Sequence, residues 1–503
     1  MTDWKWWHRA VFYQIYPRSF ADSFAGDGIG DLPGMIERLD YLKDLGIDAI
    51  WLSPHYPSPM VDCGYDIADY AGVAPEYGSL EDFKCFLESA HQRGIRLIID
   101  LVLNHTSHMH NWFMESRSSK TSPKADWYIW KDGKNGGLPN NWLSTFGGSA
   151  WEYEPERGQY YYHYFFIEQP DLNWRNPEVK QAMFDTMRFW LDLGVDGFRM
   201  DAIGTVYEDL HLTDHKASVT QADLYYRLWM KPTKEEHKFL REQWIKMYVH
   251  QVDQPEMAGL LRELRSVVDE YDDRVLIGET DKIVYCAEDM LHMVFNFPLL
   301  ETDKLTPEWV RSNQHNRLTA LAQLCCTPPG AWACNTLGNH DSPRVYNRFG
   351  DGKNNDVLAR LHLALLLTLR GTPFLYNSEE IGMTDLPLSD IRQFRDTLGV
   401  WMYQTMTSVL EVPPEKALSI AAQASRDKNR TPMQWNNKRN AGFTPPEIEP
   451  WLPVNPNYKD GINIAAQEND ENSLLNYYRS LLNIRRRTPA LIEGDYEVLH
   501  PGS

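Results

Sequence analysis

Residues Gly194 to Ile203 read GVDGFRMDAI. Val195, Gly197, Phe198 and Met200 are small or apolar, the composition of a strand buried on both faces. Arg199 and Asp201 interrupt that run two residues apart, and side chains two apart on a strand share a face. A charged pair at the end of a buried strand is costly to desolvate unless the two groups pair or do chemistry. Taken alone, the stretch reads as a structural ion pair. Three further strand ends of the same kind change that reading.

Outward from this stretch, a unit recurs. LPGMIERLDYLKDLG leads into IDAIWLSP, and LEDFKCFLESAHQRG into IRLIIDLVLNH. NPEVKQAMFDTMRFWLDLG leads into VDGFRMDAI, and PEMAGLLRELRSVVDEYDD into RVLIGET. Each first half has helical spacing closed by Gly or Asp, and each second half is a short apolar run. HMVFNF, ACNTLGNHD and TPFLYNSEE continue the series and VFYQIY opens it, which makes eight strands alternating with helices. That alternation predicts an α/β chain with a parallel sheet, closed as a (β/α)8 TIM barrel whose active site lies at the C-terminal strand ends.

Three stretches fall outside the repeat. Residues 105–173 are rich in Trp, Tyr, Gly, Asn and Ser and predict a loop-rich subdomain inserted after the third strand, between barrel parts 1–104 and 174–490. Residues 207–252 form a long loop with a helical segment around KEEHKFLREQWIKMYVHQ. Residues 380–470 form a second one, polar and proline-rich. All three follow strands, where a barrel builds its pocket.

The composition narrows the partners. With 43% hydrophobic residues the chain has material for a large core. Its 50 Lys and Arg stand against 70 Asp and Glu, a net charge of −20, which argues against nucleic acid or an anionic membrane and leaves a small-molecule substrate. The cysteines, Cys63, Cys85, Cys286, Cys325, Cys326 and Cys334, form no C-x-x-C pair or spaced framework. The N-terminus lacks a signal-peptide pattern, and no apolar run reaches membrane-spanning length. The expectation is a reduced, cytoplasmic protein.

The strand ends carry chemistry. Asp100, Asn104 and His105 close the third, Arg199 and Asp201 the fourth, Glu279 the fifth, and His340 and Asp341 the seventh, followed by Arg344. Unpaired buried charges destabilise a fold, so this many of them predict a catalytic cluster. Several carboxylates with no thiol and no phosphate loop suit glycoside hydrolysis. A retaining enzyme uses one carboxylate as nucleophile and another as acid then base, about 5–5.5 Å apart. A metal hydrolase is the competing reading, but the histidines lack H-x-H or H-E-x-x-H spacing.

DLVLNH, GFRMDAI, VLIGET and GNHD, in this order and spacing, resemble the four signature regions of the alpha-amylase superfamily, glycoside hydrolase family 13. The likeness runs from about Ala10 to the end of the chain. QPDLN at 169–173, GDGIGDL, YNSEEIGM and SRDKNRTPMQW resemble its oligo-1,6-glucosidase and alpha-glucosidase branch. The resemblance implies Asp201 as nucleophile, forming a β-glucosyl ester, and Glu279 as general acid and base, which requires a raised pKa. It implies Asp341 as transition-state stabiliser. Arg199 would hold Asp201 ionised, with Asp100 as its structural partner. His105 and His340 would bind the innermost glucose. Asp66, in CGYDIADY, resembles the aspartate on the terminal glucose, and Arg430 the arginine paired with it, ahead of Arg426. That pair would close the pocket and make the enzyme exo-acting. Tyr65 and Phe165 would face the sugar's C–H surfaces, and Arg344 is counted with the substrate-binding residues.

In this branch alanine after the nucleophile accompanies α-1,4 cleavage. Ala202 therefore implies maltose and maltooligosaccharides, with sucrose a further candidate. The alternatives are a transglucosylase or sucrose isomerase of the trehalulose or isomaltulose type, an oligo-1,6-glucosidase, or a catalytically silent barrel. No cofactor is required for the chemistry. The branch's calcium loop, D-x-N-x-D-G-x-G-D, here reads ADSFAGDGIGD. Asp22, Asp27, the Ile29 carbonyl and Asp31 remain as oxygen ligands for a structural calcium. Family members continue into an antiparallel β domain. Residues 491–503 leave room for about one strand, so that domain is expected to be truncated or missing, with apolar surface exposed.

Overall fold

Eight short parallel strands close into one barrel in the computed structural model, which describes residues 4–23, 26–230, 232–287, 289–324 and 331–497. They are β1 (Phe12–Ile15), β2 (Ala49–Leu52), β3 (Arg96–Val102), β4 (Gly197–Asp201), β5 (Val275–Gly278), β6 (Met293–Phe295), β7 (Trp332–Thr336) and β8 (Thr372–Tyr376). β1 pairs with both β2 and β8, which completes the ring. These are the eight strands read from the sequence.

All the strands but β4 feed two cores, and β4 feeds the outer one. Phe12, Trp51, Ile98, Ile277, Phe295 and Phe374 point inward and fill the lower barrel. Tyr13, Ile50, Ile99, Phe198 and Leu276 point outward and join the helices. The period of two then decides what reaches the barrel mouth. One step above Ile98 is Asp100; above Gly197 come Arg199 and Asp201; above Ile277 comes Glu279; above Phe12 comes Gln14. Gly197 has φ +150°, and a Cβ there would lie 2.2 Å from the Val275 carbonyl, so only glycine lets β4 approach β5.

The helices outside are capped as their sequences dictate. Ser79 and Asp82 form a capping box on Leu80–Gln92, and Asn176 caps Pro177–Leu193, which stops at left-handed Gly194. Trp190 on the second helix is fully buried, meets Phe83 edge-on, and donates to the Tyr70 carbonyl at 2.8 Å. Truncating such a ring to alanine costs about 3–5 kcal/mol.

Between β3 and that helix lie a helix, Asn111–Ser118, and an antiparallel sheet of Trp130–Lys131, Gln159–Tyr162 and Trp151–Glu154. Isolated bridges, His105 with Asp171 and Tyr128 with Leu172, tie it to the barrel mouth. After β4, helices Gln221–Trp229 and Lys234–Tyr248 pack on the same region through Leu224, Leu240, Trp142 and Tyr162.

The stretch after β8 departs from its polar, proline-rich reading. It contains a packed helix pair, Thr397–Ser408 and Pro414–Ala424, joined through Met402, Met406, Ala417 and Ala421. Alanine and methionine make that face weakly apolar in sequence, and Pro414 opens its helix rather than breaking one.

The last long helix, Leu474–Arg487, packs on Asn355–Thr368 and is followed by Pro489–Ile492. The strand expected within 491–503 does not form over 493–497, and residues 498–503 lie outside the described residues. Cys325 and Cys326 also lie outside them. Cys63, Cys85, Cys286 and Cys334 are free thiols. Among the described residues, no helix is long and apolar enough to cross a membrane.

Candidate active site

β3 and β4 pair with Asp100 opposite Arg199, so the alternation puts both side chains inside the barrel mouth. Arg199 is 1% exposed and serves three carboxylates. Its Nη1 lies 2.6 Å from Asp100 Oδ1 and 2.6 Å from Asp201 Oδ1, and its Nη2 lies 2.6 Å from Glu279 Oε1. The guanidinium sits over the Trp51 ring, 4.9 Å from its centroid, and Trp51 Nε1 donates to Asp100 Oδ2 at 2.9 Å. The Ala202 N–H donates to Glu279 Oε2 at 2.7 Å from a left-handed backbone with φ 38°. A non-glycine residue held there directly after Asp201 marks a strained site.

One cation faces three carboxylates, so negative charge is left in excess in the cluster. Burial pushes Asp100 up to about 6 against the opposing pull of Arg199. Burial, and after it the Glu279 charge, raises Asp201 well above the ordinary carboxylate range. Groups this close titrate as a unit.

Asp341 lies opposite in character. Its Oδ1 is 2.6 Å from Arg430 Nη2 and 3.5 Å from Arg426 Nη1, and its Oδ2 is 3.3 Å from His340 Nε2. Burial opposes its ionisation, but His340, Arg430 and Arg426 together hold it well below the usual range. Burial keeps His340 itself neutral, so the decisive charge is that of the two arginines. The His340 ring is fixed from both sides. Gln14 Nε2 is 2.7 Å from Nδ1, and the Tyr65 hydroxyl is 2.6 Å from Nε2 and donates to Asp100 Oδ2 at 3.2 Å. One hydrogen-bonded chain therefore connects Gln14, His340, Tyr65, Asp100 and Arg199.

His105 is buried, and burial pushes it down to about 3, so it is neutral. Its Nδ1 is 2.9 Å from Asn104 Oδ1, and its Nε2 is near both the Tyr65 carbonyl (3.1 Å) and Gln169 Nε2 (3.0 Å). Phe165 meets its ring edge-on at 5.1 Å, and Phe146 lies tilted against Phe165 at 5.4 Å.

Two sequence expectations are corrected by the geometry. Asp66 does not pair with Arg430. It is fully buried, and its oxygens accept from the Ser58 hydroxyl and the amides of Val61 and Asp62. The charge pair beside Asp341 is instead Asp62 with Arg426, at 2.7 Å, and Arg430 spends its charge on Asp341. Arg344 does not reach the carboxylate cluster. It is fully buried, lies over the Tyr376 ring, and donates to the Asn377 carbonyl at 2.9 Å. The residues named for a structural calcium accept hydrogen bonds. Asp22 accepts from Gly28 N and Thr444 Oγ1, Asp27 from Ile29 N, and Asp31 caps the Leu32–Glu37 helix through Gly34 N. Among the described residues no group of three His, Cys, Asp or Glu side chains could hold a metal ion, and residues 24 and 25 of this loop lie outside them.

Sequence reasoning missed Gln14, Trp51, Asp62, Gln169 and Asp396 as members of the site. Gln14 and Trp51 could have been found, since each sits on the inward register of its strand. Asp62 and Asp396 lie in loops without period, and only the fold brings both to Arg426, with Asp396 Oδ1 2.7 Å from its Nη2.

Comparison with known proteins supplies the family. The model of the alpha amylase catalytic domain matches residues 14–494. An oligo-1,6-glucosidase of Parageobacillus thermoglucosidasius is 41% identical over 98% of this chain and 86% of its own length. A probable alpha-glucosidase of Rhizobium meliloti (strain 1021) is 40% identical over 98% of this chain and 84% of its own. The solved structure of an isomaltulose synthase mutant from Erwinia rhapontici NX5 with sucrose, its natural substrate, is 40% identical. It aligns with a TM-score of 0.85 over 100% of this chain and 88% of that one.

Proposed function

The chain belongs to the alpha-amylase catalytic-domain family and is a glycoside hydrolase, and from that premise we propose a retaining, exo-acting alpha-glucosidase. Its substrates are short α-glucosides, α-1,4 preferred, from which it releases glucose at the non-reducing end. The observation that carries the reading is the sharing of Arg199 by Asp201 and Glu279, each 2.6 Å from one of its two terminal nitrogens. Carboxyls held on neighbouring nitrogens of one guanidinium favour the close spacing, about 5–5.5 Å, at which one attacks the sugar directly.

The roles are those that the family resemblance implies, with Asp201 as nucleophile and Glu279 as acid and base. Retaining hydrolysis needs one proton between the two carboxyls, on the acid and not on the nucleophile. Arg199 pulls Asp201 toward the ionised form, against the rise that burial and the Glu279 charge cause, and loss of that charge when Glu279 is protonated helps Asp201 to ionise. Asp201 attacks the anomeric carbon while Glu279 protonates the leaving oxygen. Water, deprotonated by Glu279, then cleaves the glucosyl ester and frees Asp201. Asp341, kept ionised by Arg426 and Arg430, faces the cationic sugar of both transition states. The Asp62–Arg426 pair, anchored by Asp396, closes the end of the pocket and so favours exo action. His105, His340, Tyr65 and Phe165 line the glucose site, and Ala202 supports the α-1,4 preference.

A second reading is cleavage or formation of α-1,6 bonds. It is favoured by the relative named oligo-1,6-glucosidase and by the isomaltulose synthase solved with sucrose. Glucose release from maltose, isomaltose and sucrose, measured in parallel with Asp201→Asn as control, decides between them. Fastest release from maltose, abolished in the variant, is expected. Isomaltose as best substrate overturns the linkage, and a rearranged disaccharide from sucrose moves the activity to isomerisation.

A further inference from the structure

We propose that Asp66 is a positioning residue for Asp62: it holds the 58–62 loop in the one conformation that presents Asp62 to Arg426 and the sugar pocket. The inference rests on the alpha-glucosidase reading above, in which the Asp62–Arg426 pair ends the pocket.

Asp66 is fully buried and makes no ion pair among the described residues. One carboxylate oxygen accepts from Ser58 Oγ at 2.9 Å and from Asp62 N at 3.0 Å; the other accepts from Val61 N at 2.9 Å. All three donors belong to one loop, and one of them is the backbone of Asp62 itself. The loop does not hold this shape unaided. Met60 and Cys63 have φ 64° and 51°, a left-handed backbone that neither side chain favours. A buried carboxylate without a cation is a costly way to stabilise a turn, since it leaves one negative charge uncompensated. Burial pushes Asp66 up to about 6, and the neighbouring Asp62 adds to that rise, while the amides of Asp62 and Val61 and the Ser58 hydroxyl oppose it.

What the loop presents accounts for that cost. Asp62 Oδ1 meets Arg426 Nη2 at 2.7 Å and its Oδ2 accepts from Gln169 Nε2 at 3.1 Å. Thr397 Oγ1 donates to the Val61 carbonyl at 2.7 Å, pinning the same turn from the helix whose cap, Asp396, anchors Arg426. Asp62 is therefore fixed at its backbone by Asp66 and at its carboxylate by Arg426 and Gln169. An asparagine at 66 can accept through one oxygen only and turns its amide group toward a backbone N–H, so the turn relaxes and Asp62 shifts.

A double-mutant cycle tests this, with kcat and KM for maltose and the affinity for glucose by calorimetry in wild type, Asp62→Ala, Asp66→Asn and the double variant. Asp66→Asn is expected to lower kcat/KM about 30-fold or more, chiefly through KM, and to weaken glucose to a similar degree. In the Asp62→Ala background the same substitution is expected to change either quantity by less than about threefold. Independent losses in the two backgrounds, or an unchanged KM in Asp66→Asn, overturn the proposal. Ser58→Ala, which removes one donor and no charge, reads the same cycle at smaller amplitude if Asp66→Asn does not fold. Absence of maltose turnover in wild type overturns the α-1,4 reading alone, and the calorimetric cycle still decides the role of Asp66.

Discussion

Arg199 balances three carboxylates with two terminal nitrogens, each contact at 2.6 Å. A planar guanidinium can offer parallel donors to several oxygens at once, whereas an ammonium is a point charge on a flexible stem. Arg199→Lys keeps the charge and loses that geometry. We expect kcat to fall on the order of 1,000-fold, since Asp201 and Glu279 lose their common anchor. Steady-state kinetics alongside a thermal melt checks this, and a loss under tenfold would mean that the charge alone suffices. Arg199, Asp201 and Glu279 were legible in sequence because each sits two positions above an inward-facing residue of a regular strand. Asp62 was not, because loop residues between Pro57 and Tyr65 follow no period, and Asp66, in the same motif, offered an equally good carboxylate.

The Thr397–Ser408 and Pro414–Ala424 helices act on the pocket from outside it. Asp396 caps the first helix through Leu398 N at 3.2 Å and grips Arg426 through Nε and Nη2 at 3.1 and 2.7 Å. Packing between the two helices is thus mechanically upstream of the Asp62–Arg426 pair. Met406 is fully buried at that contact. Met406→Ala removes its packing at about 2–5 kcal/mol of local stability. The expected kinetic result is a several-fold rise in KM for maltose with kcat changed by less than about twofold. An unchanged KM with a lowered melting temperature would detach the helix pair from the pocket. The pair was illegible in sequence because its contact face is built of Ala and Met, whose signal is weak between polar and proline-rich flanks.

Across the whole molecule, folding buries carboxyls that prefer to be neutral. Asp66 and Asp100 are each pushed up to about 6 and Glu379 to about 7, burial being the first cause in all three. Glu379 Oε1 is buried with no hydrogen-bond partner, and it packs so close to Gly338 that a Cβ there would lie 2.0 Å away. A carboxyl raised in the folded state binds protons more tightly there than in the unfolded chain. Stability from such a group is therefore greatest below its unfolded pKa, about 4.5 for glutamate, and is lost as the pH rises toward 7. Glu379→Gln removes that dependence. It is expected to stabilise the protein at pH 8 on the order of 3 kcal/mol and to change little at pH 4.5. Thermal or urea melts of both proteins at the two pH values test this, and equal shifts at both would show that Glu379 stays ionised throughout.

The sequence by itself determined the barrel and the carboxylate layer at its mouth. Both depend on local periodicities, 3.6 for the helices and 2 for the strands, and alternation carries Asp100, Arg199, Asp201 and Glu279 to the same end of one closed sheet. Only the tertiary structure decided which aspartate meets an arginine and which meets the amides of its own loop. Asp62 and Asp66 lie four residues apart in one loop. Their roles separate because Arg426, delivered from more than 300 residues away, meets Asp62, while the amides of Val61 and Asp62 close on Asp66. Partners delivered from distant chain segments have no local spacing to read, and it is contact with them that separates the two aspartates here.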